Sequence, residues 1–244
     1  MRIATWNVES LKTLTPERKS AFHGAMAGVD ADVWVLTETW TTFSPGPDYR
    51  LLARSQTAED LKPWPDRCWV SIWTKPPLVA MPLKVHRHSD RMAGGRIETP
   101  GRADIVIVGT VLPWNGDKLW PKATDFCAAV ASQAEEWGAL RGDPDGCTLV
   151  VAGDFNQSVP YEQWYGSKTG EVAVNSALRE LDLLCLTDGN CPLAGRPRID
   201  HICVGRNGLA PDCLPRIGGW AIPTVNDRPV TDHSGVYVDL LRSG

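Results

Sequence analysis

Along this chain, short apolar runs alternate with polar stretches rich in proline and glycine, and several runs end on an acid or an amide. Positions 2–8 form a short apolar strand that leaves through Trp6-Asn7-Val8-Glu9. Pro16 occupies the first turn of a helix that extends to about position 29. A second apolar strand covers 32–38 and carries Glu38 at its exit. The opening therefore reads strand, helix, strand, with Asn7, Glu9 and Glu38 at corresponding ends.

Positions 41–67, punctuated by Ser44-Pro45-Gly46-Pro47 and Lys62-Pro63-Trp64-Pro65, read as loop with one strand near 49–53. Strands at 69–75 and 78–88 flank Pro76-Pro77, and the polar segment 89–95 reads as a turn. A long strand at 103–112 ends at Pro113-Trp114-Asn115-Gly116, and apolar spacing predicts a helix over 122–140. Leu149-Val150-Val151-Ala152 has the unbroken apolar character of a strand buried on both faces. Gly153 then lets the backbone turn into Asp154-Phe155-Asn156-Gln157. A helix at 172–182, strands at 198–204 and within 213–222, and an alternating strand at 235–241 complete the pattern. No linker divides 1–244, which reads as one domain. Thr5-Trp6-Asn7 and Asp154-Phe155-Asn156 echo one another, but two matches do not establish a repeat.

Composition narrows the function classes. A chain of 244 residues can bury a sizeable core without disulfides or a structural metal. The net charge of −4 excludes coating of nucleic acid through bulk positive charge, though not a local basic rim. Seven cysteines, at 68, 127, 147, 185, 191, 203 and 213, contain no C-x-x-C pair. A disulfide scaffold or zinc site is not expected, and a reducing compartment fits. The start reads at once as strand rather than as a secretory leader, and no apolar run is long enough to span a bilayer. A cytoplasmic monomer is expected.

The polar residues at strand exits are Asn7, Glu9, Glu38, Asp154, Asn156, Asp200, Asp232 and His233. Taken singly, each has an ordinary reading; Asp154 and Asn156, for instance, suit an Asx-turn. As a set they are carboxylates, amides and an imidazole. Hard divalent cations prefer carboxylate oxygen, and histidine carries protons or charge near neutral pH. The combination suits metal-assisted hydrolysis of a phosphoester.

Five segments, Thr5-Trp6-Asn7-Val8-Glu9, Leu36-Thr37-Glu38-Thr39-Trp40, Gly153-Asp154-Phe155-Asn156-Gln157, Arg198-Ile199-Asp200-His201-Ile202 and Thr231-Asp232-His233-Ser234-Gly235, stand in this order. The set resembles the endonuclease/exonuclease/phosphatase superfamily, of DNase-like fold. The resemblance implies an α/β, four-layer αββα sandwich: two mixed sheets face to face, helices outside, and the site at one edge. It makes Glu38 the principal metal ligand for Mg²⁺ (or Mn²⁺), oriented by Asn7, with Glu9 a second acidic ligand in some members and Asp232 near the metal. It gives Asp154 the attacking water, Asn156 the phosphate, and His233, held by Asp200, the charge or proton at the phosphoryl oxygens. One departure stands out. Many members carry His, or Tyr in abasic-site enzymes, at the end of the strand that here reads Val108-Gly109-Thr110-Val111-Leu112-Pro113-Trp114. That group is missing or supplied from elsewhere. Arg196-Pro197 also stands where an aromatic shapes the abasic pocket, so a dedicated abasic endonuclease is not expected.

A nucleic-acid phosphodiester is the first substrate expected. A small or lipid-borne phosphoester is the alternative, and a catalytically weak binding module is a third reading. Arg87, Arg91 and Arg96, with Lys84 and Arg102, are candidates for a phosphate-facing rim, or else for a solvated loop. Trp114, with Trp40 and Trp164, is placed either to stack on a base or to pack its own loop. His86 and His88 lie two apart and read as an ordinary strand edge.

Overall fold

The computed structural model describes residues 1–10, 12–57, 62–114, 117, 126–160, 164–191, 196–209 and 215–240. In chain order the elements are β1 (Arg2–Asn7), α1 (Pro16–Val29), β2 (Val33–Trp40), β3 (Arg50–Arg54), β4 (Arg67–Thr74), β5 (Ala80–Leu83) and β6 (Met92–Ile97). They continue with β7 (Asp104–Val111), α2 (Phe126–Arg141), β8 (Cys147–Asp154), α3 (Lys168–Glu180), β9 (Leu183–Cys185), β10 (Asn190–Cys191) and β11 (Arg196–Pro197). Last come β12 (Asp200–Gly205), a 3₁₀ turn at Arg206–Gly208, β13 (Arg216–Gly219), β14 (Thr224–Val225), β15 (Arg228–Pro229) and β16 (Val236–Asp239).

Two six-stranded sheets dominate, ordered β13-β16-β1-β2-β4-β3 and β5-β6-β7-β8-β12-β9. Each is mixed and built alike. A parallel central pair, β1·β2 or β7·β8, is joined through a helix and flanked by antiparallel strands. Parallel neighbours need such a crossover, and the helix covers the sheet's outer face. The topology thus repeats, but it equates β2 with β8 rather than β1 with β8. The echo between the exits at Asn7 and Asn156 does not follow the repeat.

Alternation along each strand sorts the side chains into layers. Ile3, Val35, Ile72, Ile107, Val150 and Ile202 fill the space between the sheets. Trp6, Trp34 and Leu36 face outward onto Phe22 and Met26 of α1. Val108, Leu149 and Val151 face Val130 and Trp137 of α2 and Val174 of α3. The result is the expected four-layer αββα sandwich. Among the described residues, no helix is long and apolar enough to cross a membrane.

Helix α1 runs as expected from Pro16 to Val29, capped by the Thr15 hydroxyl, which accepts from Arg18 N at 3.2 Å. The segment expected as a turn at 89–95 instead enters strand β6. Gly95 is there for close approach: a Cβ would lie 2.4 Å from Leu52 Cδ2 of β3. Gly95→Ala should therefore lower the urea midpoint by the equivalent of about 1–3 kcal/mol, the usual cost of overpacking. An unchanged midpoint would mean that Leu52 moves aside freely. The strand expected over 78–88 shrinks to β5, because the following segment leaves the sheet for α2. His86 N donates to Glu136 Oε1 at 2.7 Å, and His88 Nε2 lies 2.9 Å from Ser132 Oγ. Helix α3 starts before 172 because the Ser167 hydroxyl caps it, accepting from Gly170 N at 3.0 Å. The expected starts of the 122–140 helix and the 213–222 strand lie outside the described residues.

Candidate active site

Because β1·β2 and β7·β8 each run parallel, the exits of all four strands emerge along one edge of the sandwich. Asn7 ends β1, Glu38 lies late in β2, and Asp154 ends β8. Asp200 opens β12 directly opposite Asp154 in the ladder. The loop ahead of β16 brings in His233. Five motifs scattered from position 7 to 233 therefore converge, three of them late in β1, β2 and β8, one at the start of antiparallel β12 and one ahead of antiparallel β16.

Local backbone conformation aims these groups. Gly153 has φ 141°, and a Cβ there would lie 2.0 Å from the Thr110 carbonyl oxygen, so only glycine lets β8 close on β7 at this point. Glu9, Glu38 and Asn156 have φ of 51°, 45° and 48°. Left-handed backbone at non-glycine residues is uncommon and collects at functional sites.

Asn7 is the hub. Its Nδ2 donates to Glu38 Oε1 at 2.9 Å and to Asp154 Oδ2 at 3.0 Å, while its Oδ1 accepts from Glu9 N at 2.9 Å. Asp154 Oδ1 accepts from Asn156 N at 2.9 Å, and Asn156 Nδ2 donates to Leu112 O at 2.9 Å. His233 Nδ1 sits 2.6 Å from Asp200 Oδ2. Two contacts that the sequence reading did not single out hold this histidine. Trp6 Nε1 donates to His233 O at 2.9 Å, and Thr231 Oγ1 donates to Asn7 O while accepting from His233 N. Both residues fall inside the recognised motifs, but nothing in sequence separates such braces from ordinary core positions.

Burial and charge set the protonation states. Burial pushes Glu38 up; the Asn7 hydrogen bond and His233 oppose this, while Asp232 and Glu9 add to it. Burial, then Asp200, push Asp154 up to about 7, against the pull of His233 and the Asn156 amide. For His233, burial acts against the imidazolium, but Asp200 beside it wins and raises the group to about 10. Asp154, Asp200 and His233 also lie close enough together to suggest a metal cluster. An imidazolium has no free lone pair, however, and its Nδ1 proton is already engaged by Asp200. The crowded carboxylate side, Glu38 with Asp232 and Glu9 acting on it, has the oxygen donors that a hard cation prefers. Asp232 is mostly exposed, with Oδ1 3.7 Å from His233 Nε2, and Glu9 pairs with Lys12 at 2.7 Å.

The proposed rim is not assembled. Arg96 pairs with Asp104 at 2.8 Å, at the end of β7 remote from Asp154. Arg87 pairs with Glu135 on α2. Arg91 is 1 % exposed, its guanidinium 4.2 Å from the Trp69 ring centre, 5.3 Å from that of Trp114, and ion-paired with Asp117 at 3.2 Å. Trp114 thus serves the interior, packing on Trp69. Arg91→Ala should lower the thermal midpoint by leaving Asp117 buried beside a void. A midpoint equal to wild type would return Arg91 to the surface-loop reading. At the strand end that lacks His or Tyr, Leu112 contributes only its backbone. A phenol unnamed in the sequence reading, Tyr165, lies in the field of the same carboxylates: burial raises it first, then Asp154, Asp232 and Glu38.

A sandwich with carboxylates, an amide hub and an Asp–His dyad at one edge defines a phosphoesterase of the DNase-like class. The chain belongs to the Endonuclease/Exonuclease/phosphatase family, whose sequence model matches residues 4–233. Its fold is similar to the endonuclease domain of TRAS1, a telomere-specific non-LTR retrotransposon (17% identity, 99% of each chain, TM-score 0.64). It is also similar to AP endonuclease LMAP from Leishmania major (17% identity, 97% of this chain and 86% of that one, TM-score 0.67). A third similar structure is D. rerio TDP2 complexed with single strand DNA product (14% identity, 98% and 97%, TM-score 0.61). No curated protein matches the chain in sequence.

Proposed function

We propose that the protein is a divalent-cation-dependent nuclease that hydrolyses nucleic-acid phosphodiester bonds by attack of water. The observation that carries this reading is the Asn7 amide donating to both Glu38 and Asp154 beside the Asp200–His233 pair. Glu38, with Asp232 and Glu9, would hold the cation, Mg²⁺ in preference to Mn²⁺. When bound there, the ion supplies positive charge to a phosphoryl oxygen. Asp154, raised to about 7, is matched to taking a proton from water at neutral pH. Asn156 keeps one amide hydrogen for the phosphate after donating the other to Leu112 O. His233, held protonated by Asp200, offers its Nε2–H to the charge that develops on the phosphoryl oxygens.

Nucleic acid is favoured by what similar folds are described as doing: an endonuclease, an AP endonuclease, and a TDP2 caught with a DNA product. A second reading, a small or lipid-borne phosphoester, has one specific observation in its favour. Arg87, Arg91 and Arg96 are each paired with a carboxylate, and the net charge is −4. Plasmid, single-stranded DNA, RNA and phosphomonoesters, each assayed with Mg²⁺ and with EDTA, test both. Cleavage of a nucleic acid that EDTA stops and Mg²⁺ restores is expected. Faster turnover of the small esters would transfer the assignment, and full activity in EDTA would sink the cation. Arg96→Ala should leave the salt dependence of nucleic-acid binding unchanged, since its position removes it from counterion release at the site.

A further inference from the structure

On the outer face of the second sheet, β9 and β12 place Cys185 and Cys203 directly opposite one another. Leu186 N donates to Ile202 O at 3.0 Å, so the 185–203 pair falls between ladder hydrogen bonds. Such pairs hold their Cα atoms about 4.5 Å apart, within the ~4.4–6.8 Å that a disulfide spans. Both thiols are free; Cys203 is buried and Cys185 is partly exposed. His201, on the same face two residues before Cys203, puts Nδ1 3.5 Å from Cys185 Sγ. The other ring nitrogen lies 3.0 Å from Gln157 O, in the loop that carries Asn156.

We propose that Cys185 and Cys203 are a reversible redox modification site, with Cys185 attacking a hydroperoxide and Cys203 resolving the product as a disulfide. Exposure favours this order, since Cys185 is the less buried residue of the two. The local bonds agree with it. The hydrogen bond from Cys203 lowers Cys185 well below the usual thiol range against the opposing effect of burial, with His201 helping, while burial pushes Cys203 up. A thiolate, rather than a thiol, is the nucleophile.

The Cys185 thiolate attacks the peroxide; an S–O bond forms, the O–O bond breaks, and hydroxide or alkoxide leaves with the electron pair. The Cys203 sulfur then attacks the sulfenic sulfur. An S–S bond forms, the S–O bond breaks, and the departing hydroxide takes the Cys203 proton as water. Two electrons pass from the two sulfurs to the peroxide, and a dithiol reverses the change. Oxidation withdraws the thiolate from His201, the imidazole that braces the loop beyond Asn156.

Folded wild-type protein is treated with hydrogen peroxide, its remaining thiols are blocked, and the digest is analysed by mass spectrometry. The peptides bearing Cys185 and Cys203 are expected as one linked species, lighter by two hydrogens and released by dithiothreitol. Cys203→Ser should leave a sulfenic acid at Cys185 that dimedone captures. Recovery of both wild-type cysteines as reduced thiols, or linkage of either to a different cysteine, overturns the proposal. Dimedone capture at Cys203 in Cys185→Ser, with none at Cys185 in Cys203→Ser, overturns the order of attack. The wild-type digest decides the bond even if a variant fails to fold.

Discussion

His233→Ala and Asp200→Asn are each expected to lower kcat by about 10²–10⁴-fold, the range that a positioned acid–base group contributes. The 2.6 Å contact makes them one device, since Asp200 holds Nδ1 and keeps the ring charged. Groups acting as a unit are not additive. The double variant should therefore be little worse than the worse single one, and losses that multiply would show independent roles. The pH profile separates the two variants further. With the imidazolium as the working form and Asp154 as the base, wild-type activity should rise as pH passes about 7 and fall near the raised His233 value of about 10. Removing the Asp200 charge leaves burial opposed only by Asp154 and Asp232, so the alkaline limb of Asp200→Asn should move to lower pH. A limb that stays put would mean that some other group sets it. Stability follows the same sign. The raised folded-state value contributes fully below the unfolded value of about 6.5 and is lost as pH climbs through about 10. The thermal midpoint of wild type should drop across that window, and that of His233→Ala should not share the drop.

What could be read from the sequence was whatever the chain encodes locally. An apolar run ending in an acid or amide marks a strand exit, and parallel pairing sends such exits to one edge. Asn7, Glu38 and Asp154 were therefore legible before any contact was known. Asp200, which opens β12, and His233, which precedes β16, could be named only through the motif resemblance. Positions whose meaning depends on a distant neighbour were not. Gly94-Gly95 has turn chemistry, and only the approach of Leu52 from β3 explains a glycine inside a strand. The first turn of α3, Lys168-Thr169-Gly170-Glu171, shows no apolar periodicity to announce it, and the Ser167 cap fixes its start. Arg91 reads as a surface cation among other cations. Its burial between Trp69 and Trp114 comes from a strand pairing and a loop that local composition does not encode. The repeat of topology was hidden too, because the two halves share strand order and not motif position: Val111 answers Asn7, and Thr37, rather than Glu38, answers Asp154.

Glu38→Gln should abolish most activity while leaving the apoprotein as stable as wild type, or more so. The substitution keeps the side chain's shape and its capacity to accept from Asn7 Nδ2, so the hub geometry has no reason to collapse. It removes an anion that burial disfavours and that Asp232 and Glu9 repel. Because the folded-state value is raised, the folded protein holds this proton more tightly than the unfolded chain. Wild-type stability therefore falls as pH rises from the unfolded value towards the folded one, and Glu38→Gln escapes that loss at neutral pH. Mg²⁺ reverses the comparison. A ligand at 100 times its Kd adds about 2.7 kcal/mol to the folded state, worth about 5–10 °C in thermal midpoint for a chain of this size. Wild type should show that rise on titration with Mg²⁺, and the variant should show almost none. A variant that keeps both its activity and its Mg²⁺-induced shift would move the cation away from Glu38. Loss of activity with the shift retained would leave Glu38 to act on substrate, with the ion held by other carboxylates at this edge.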